Sequence, residues 1–157
     1  MSIYFIDADM LKLDKCNIVL CHQVNCMGVM GGGIALSIKL LYPHVYDCYN
    51  SYCIQNKYSE YLLRKTQIIP IDIDKHIYIA NLFSQYKYGR DKCHTDYSAL
   101  ETCLSNVRHY CYENNLQMAV PNKIGCGLAG GDWNIVRQLL IDMFETAPVD
   151  LFVCELK

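Results

Sequence analysis

Apolar residues in this chain gather in short runs separated by polar or glycine-rich stretches. Ile3–Ile6, Ile18–Cys21, Thr66–Pro70, His76–Ala80, Gln117–Pro121 and Leu151–Cys154 each have the length of a strand, and most are rich in β-branched or aromatic residues. Between them the apolar spacing lengthens to that of helices. Ile34, Leu36, Ile38, Leu40 and Leu41 predict one helix, which Tyr42-Pro43 breaks because proline cannot continue it. Val45, Tyr46, Tyr49 and Tyr52/Cys53 share one side of a second. Leu100, Leu104 and Val107 carry a third on to Tyr110/Cys111, with Thr95 or Asp96 as its N-cap. Asp132-Trp133 opens a fourth, with Ile135, Val136, Leu139, Leu140 and Met143 facing inward. Asp72 and Asp74 alternate with Ile71 and Ile73, which predicts a hairpin region. Strands alternating with helices predict a three-layer α/β sandwich.

Two glycine clusters interrupt this alternation at equivalent places. Cys21 runs into His22–Ala35, which contains Gly31-Gly32-Gly33, and Pro121 leads to Gly125–Gly131. In each, a strand enters a glycine loop and a helix leaves it. Glycine lets a ligand lie against the backbone, and the free N–H groups of a helix start attract anions, phosphate above all. In α/β sheets, ligands bind beyond the strand ends. His22, Asn25, Gly31–Gly33, Gln85 and Gly125–Gly131 all fall there, so the two loops are expected to hold one diphosphate. Neither loop has the Gly-x-Gly-x-x-Gly spacing of a dinucleotide fold or the Gly-Lys-Ser/Thr ending of a phosphate loop.

Composition narrows the picture. A length of 157 residues predicts one domain, residues 1–157, and no linker, repeat or long charge run divides it. With 52% hydrophobic and 19% charged residues the chain is globular. A net charge of −2 argues against the basic face of a nucleic-acid binder, and leaves anion binding to backbone donors. The ten cysteines are scattered, without a Cys-x-x-Cys, and the first residues are already strand-like. Reduced thiols in a cytoplasmic protein are expected, with no metal, no cofactor and no membrane span.

Five segments, taken in order, resemble the macrodomain family, which binds ADP-ribose: Asp9-Met10, Val24–Gly28 with Gly31–Ala35, Asn81–Gln85, Thr95–Leu100, and Ile124–Trp133. The resemblance is to the small branch that holds ADP-ribose-1″-phosphate phosphatases and single-domain ADP-ribosyl hydrolases. It implies a three-layer α/β/α sandwich with a mixed central sheet. It also implies that Asp9 accepts the adenine amino group beside the Met10 N–H, and that Asn25 bonds the distal ribose. Gly31, Gly32, Gly33 and Ile34 would surround the diphosphate and ribose with Gly125, Cys126, Gly127, Leu128 and Ala129. An aromatic near Gln85, Tyr86 or Tyr88, could stack on a base or on the distal ribose.

Three functions follow from that resemblance. Glycohydrolases of this branch use a lysine after the Asn81–Gln85 segment and an aspartate after Gly-Cys-Gly-Leu. Ser84 or Gln85 and Ala129 stand in those registers, with Lys87 and Asp132 nearby. Removal of the 1″-phosphate from ADP-ribose-1″-phosphate is therefore the leading expectation. His22 is the candidate acid or base, since histidine ionises near neutral pH, and Asp132 the group that orients or activates it. The alternatives are a structural hydrogen bonder for His22 and a helix cap for Asp132. An ADP-ribosyl glycohydrolase acting on protein or nucleic acid, and a binding module without chemistry, are the other two readings.

Overall fold

The computed structural model describes residues 2–157. Six strands form one sheet: β1 (Ile3–Asp7), β2 (Ile18–Val24), β3 (Thr66–Asp72), β4 (Ile77–Phe83), β5 (Gln117–Pro121) and β6 (Leu151–Glu155), in the order β1-β6-β5-β2-β4-β3. All neighbours are parallel except β3 and β4, so the sheet is mixed, as expected. That antiparallel pair is the hairpin read from the Asp72/Asp74 alternation. Pro70, which has no N–H, sits on the edge strand, where a ladder bond is dispensable.

Four helices cover the two faces: α1 (Gly33–Leu41), α2 (Pro43–Gln55), α3 (Tyr97–Asn114) and α4 (Trp133–Phe144). Ile38 and Val45, from α1 and α2, pack with Ile18, Leu20, Ile69 and Ile79 on one face. Leu100, Leu104 and Val107 of α3 pack with Val136, Leu140 and Phe144 of α4 over Val19, Cys21, Leu82 and Met118 on the other. Strand β2 is therefore buried on both faces, which explains its unbroken apolar run.

The connection leaving β2 goes to α1 on one face, and the connection leaving its neighbour β5 goes to α4 on the other. A crevice must open between them, at the carboxyl ends of the strands. Both glycine clusters lie in these two connections. Since β2 and β5 are adjacent and parallel, the loops are brought side by side by sheet order alone. The connection from β4 to α3 leaves the same end of the sheet one strand further on.

Candidate functional site

The crevice is a cleft of about 560 Å³. One wall is Asn25, Val29 and Gly31–Ala35, the other Asn122–Gly125 with Gly127–Ala129, and Gln85, Tyr88 and Arg90 close one end. The N–H groups of Gly31, Gly32, Gly33, Ile34 and Ala35 meet no acceptor among the described residues, and neither do those of Gly125, Gly127, Leu128 and Ala129. The α1 amides are the orphan donors of a helix start. Those of the second loop are left over because its internal bonds use other groups: Cys126 N donates to Lys123 O, Gly130 N to Gly127 O and Gly131 N to Gly125 O. The site thus offers two rows of free donors with little side chain in the way.

The floor is a hydrogen-bonded network. Gln23 Nε2 donates to Gln85 Oε1 at 2.8 Å and lies 2.9 Å from Thr95 Oγ1, and Ser84 Oγ donates to Gln23 Oε1 at 2.6 Å. Thr95 Oγ1 in turn donates to Gly125 O at 2.6 Å, which fixes the second loop. Gln85 and Thr95 form a β-bridge, and His94 N donates to Ala129 O at 2.7 Å, so the β4–α3 connection is pinned to the same loop. Of the two N-cap candidates for α3, Asp96 is the cap, accepting from Ala99 N, and Thr95 serves the loop.

Asn25 shapes the first loop from inside. Its Oδ1 accepts from Met27 N at 2.9 Å and Val29 N at 3.4 Å, and its Nδ2 donates to Val29 O at 2.8 Å. The buried Tyr49 hydroxyl lies 2.7 Å from both Asn25 O and Asn25 Oδ1. One N–H of the Asn25 amide remains for a ligand. Gln85, only 8% exposed, has its carbonyl on Gln23 and its amide on Lys87 O, so it holds the floor together.

Several expected site residues lie elsewhere. His22 is fully buried and does not line the cleft. Asn81 Nδ2 donates to Gln67 Oε1 at 3.1 Å, so its Oδ1 accepts from His22 Nε2 at 2.6 Å, and Gln67 Nε2 donates on to Cys48 O of α2. Burial pushes His22 down to about 4, well below the range of a neutral-pH acid or base. The structure thus places His22 as a buried hydrogen-bonding residue. Asp132 is exposed, outside the cleft lining, and caps α4 by accepting from Asn134 N at 2.9 Å. Cys126 also turns away: its thiol faces Ile124 O, burial raises it to about 11, and its N–H is spent within the loop. Asp9 caps a short 3-10 turn at Met10–Lys12, accepting from Leu11 N at 3.0 Å, and Met10 is buried. That turn packs against β5, beside the cleft but outside its lining.

The cleft also contains groups that sequence reasoning passed over: Gln23, Asn122, Lys123 and Arg90. For Arg90 and Lys123 there was a signal, since both stand in the connections that leave the relevant strand ends. The cysteines are all unpaired, with Cys16, Cys48 and Cys93 exposed and most of the others buried.

Comparison with known proteins agrees with this geometry. The chain is 49% identical to a protein of Aspergillus oryzae named ADP-ribose 1″-phosphate phosphatase, over 83% of this chain and 86% of that one. It is 31% identical to the DNA ADP-ribosyl glycohydrolase of Mycobacterium tuberculosis over 89% of its own length, but spans only 38% of that relative. The solved macrodomain of Mycobacterium tuberculosis DarG has a TM-score of 0.80 at 26% identity, covering 99% of this chain and 98% of that chain. A model of the Macro domain matches residues 21–140, and the chain belongs to that family.

Proposed function

We propose that this chain binds ADP-ribose and removes the phosphate from ADP-ribose-1″-phosphate. The observation that carries the reading is the pair of free amide rows, Gly31–Ala35 and Gly125 with Gly127–Ala129, facing each other across one cleft. Such donors suit a diphosphate, which the α1 N-terminus also favours electrostatically. The similarity to the Aspergillus phosphatase, which extends over most of both chains, supports the reaction class.

In this reading the adenine lies toward Asp9 and Met10, on the β5 side, and Asn25 meets the distal ribose. Water attacks the 1″-phosphorus, the P–O bond to the ribose breaks, and ADP-ribose and inorganic phosphate leave. The amides contribute by stabilising negative charge as it grows on the phosphoryl oxygens. No proton is routed through His22. In the registers of the glycohydrolase lysine and aspartate stand Ser84 or Gln85, neither of which is a cation, and Ala129, which has no acid.

Incubation with ADP-ribose-1″-phosphate, with free phosphate measured, tests the proposal. Release of equal amounts of phosphate and ADP-ribose is the expected result. No release above buffer, together with release of ADP-ribose from modified protein or DNA, would overturn it in favour of a glycohydrolase. Calorimetric binding of ADP-ribose with every turnover assay flat would leave a binding module.

A further inference from the structure

Breaking the P–O bond leaves an electron pair on the ribose oxygen, and that oxygen needs a proton to depart as a hydroxyl. The residues lining the cleft include no carboxylate, imidazole or thiol. The candidates nearby are each committed elsewhere. His22 is buried with its Nε2 on Asn81, and the Cys126 thiol faces Ile124 O. Asp9 and Asp132 accept from backbone amides as caps, and Asp91 Oδ1 lies 2.8 Å from His94 Nε2. The floor is made of amides and hydroxyls, which do not ionise. Their hydrogens are spent on one another: Ser84 on Gln23, Gln23 on Gln85 and Thr95, and Thr95 on Gly125 O.

Three titratable side chains remain on the rim. Tyr88 and Arg90 come from the β4–α3 connection and Lys123 follows β5, while the wall between β2 and α1 contributes none. All three are exposed to water. A general acid works best when it titrates near the working pH, and phenol, guanidinium and ammonium groups ordinarily do so at about 10 or above. The cleft is therefore rich in fixed N–H donors and poor in groups that exchange a proton near neutrality.

One proton is still at hand, on the substrate. A phosphomonoester loses its second proton at about 6, so near neutrality singly protonated and doubly charged forms coexist. Resting on the proposed function, we infer that the substrate is its own general acid: the singly protonated phosphate on C1″ hands its proton to the ribose oxygen. The P–O bond breaks, and its electron pair and that proton stay with the ribose as a hydroxyl. The metaphosphate-like anion takes up water and leaves as dihydrogen phosphate. The two amide rows hold the charge of the phosphoryl oxygens throughout, and need no proton transfer to do so.

The test is the pH dependence of kcat/KM for phosphate release between pH 5 and 9, with ADP-ribose binding measured alongside to show that the chain is folded. A plateau is expected below about pH 6, with a fall of about tenfold for each unit above it. A phosphorothioate substrate, whose second proton is more acidic, should move the midpoint down with its own ionisation. His22→Gln, Tyr88→Phe and Lys123→Met should each keep the midpoint, even where the rate changes. Binding of the uncleavable methylenephosphonate analogue should not weaken as the pH rises, which separates proton donation from a preference in binding. Phosphate released in oxygen-18 water should carry one labelled oxygen. A flat or bell-shaped profile, a midpoint that ignores the phosphorothioate or shifts in a variant, or weaker phosphonate binding at high pH overturns the inference. So does unlabelled phosphate, the mark of C1″–O cleavage. Each of these leaves the phosphatase standing, whereas no phosphate release at any pH removes both.

Discussion

Leu128 of the second loop lies over Gly32 of the first, so closely that a Cβ placed on Gly32 would stand 2.8 Å from Leu128 Cδ1. The two glycine loops therefore touch across the mouth of the cleft, with Leu128 left 51% exposed at the junction.

This contact and one deeper in the second loop should respond differently to a methyl group. At Gly32 the obstacle is the free end of an exposed side chain, and the backbone is extended, with φ −155. Gly32→Ala should cost little: Leu128 swings aside, and ADP-ribose affinity falls by less than about threefold. At Gly131 the added Cβ would stand 2.5 Å from the carbonyl oxygen of Gly125, to which Gly131 N also donates. Gly131→Ala must displace backbone, and should lower affinity at least about tenfold by titration calorimetry.

Gln23 ties three segments together through Ser84, Gln85 and Thr95. Gln23→Ala leaves the hydroxyl of the fully buried Ser84 without its short bond and frees Thr95, which positions Gly125. A loss of about 1–3 kcal/mol in unfolding free energy is expected in urea, with a weaker ADP-ribose Kd. An unchanged midpoint would show that the network contributes nothing to stability.

His22 should write its burial into the pH dependence of stability. The unfolded chain takes up the proton near 6.5, and the folded chain only near 4. Between those values the unfolded state binds more protons, so stability is complete above 6.5 and falls as the pH drops toward 4, by about 3 kcal/mol. His22→Gln should flatten that part of the profile. Phosphate release by the wild-type chain should show no ionisation of this imidazole between pH 6 and 8.

Asp132 separates a cap from a catalyst. Asp132→Ala removes the acceptor for Asn134 N and should destabilise the fold by about 1 kcal/mol. Its kcat for phosphate release should stay within about twofold of wild type, since the carboxylate lies outside the cleft lining. Asp132→Ser should recover the lost stability.

The strands, the helices and the two glycine loops are legible because each depends on local pattern, and the loops meet because sheet order brings them together. His22 and Gln23 show where the reading stops. A polar residue at a strand end looks available, but the pleat sends neighbours to opposite faces, and one position decides between core and cleft. His22 falls between Leu20 and Val24, against the side covered by α2, while Gln23 faces Ser84, Gln85 and Thr95. Those partners are far apart in sequence, so no spacing announces them. Cys126 is a related case: a turn within the glycine loop uses its amide, and its thiol faces Ile124 O, which the run of glycines does not announce.

Both loops are fastened to the β4–α3 connection at their bases. His94 and Thr95 staple it to the second loop through Ala129 and Gly125, and Cys26 N donates to Tyr86 O at 2.9 Å from the first. At the rim the loops meet through Leu128 over Gly32. Parting the mouth at that leucine would therefore leave both hinges of the crevice still tied to one common strap.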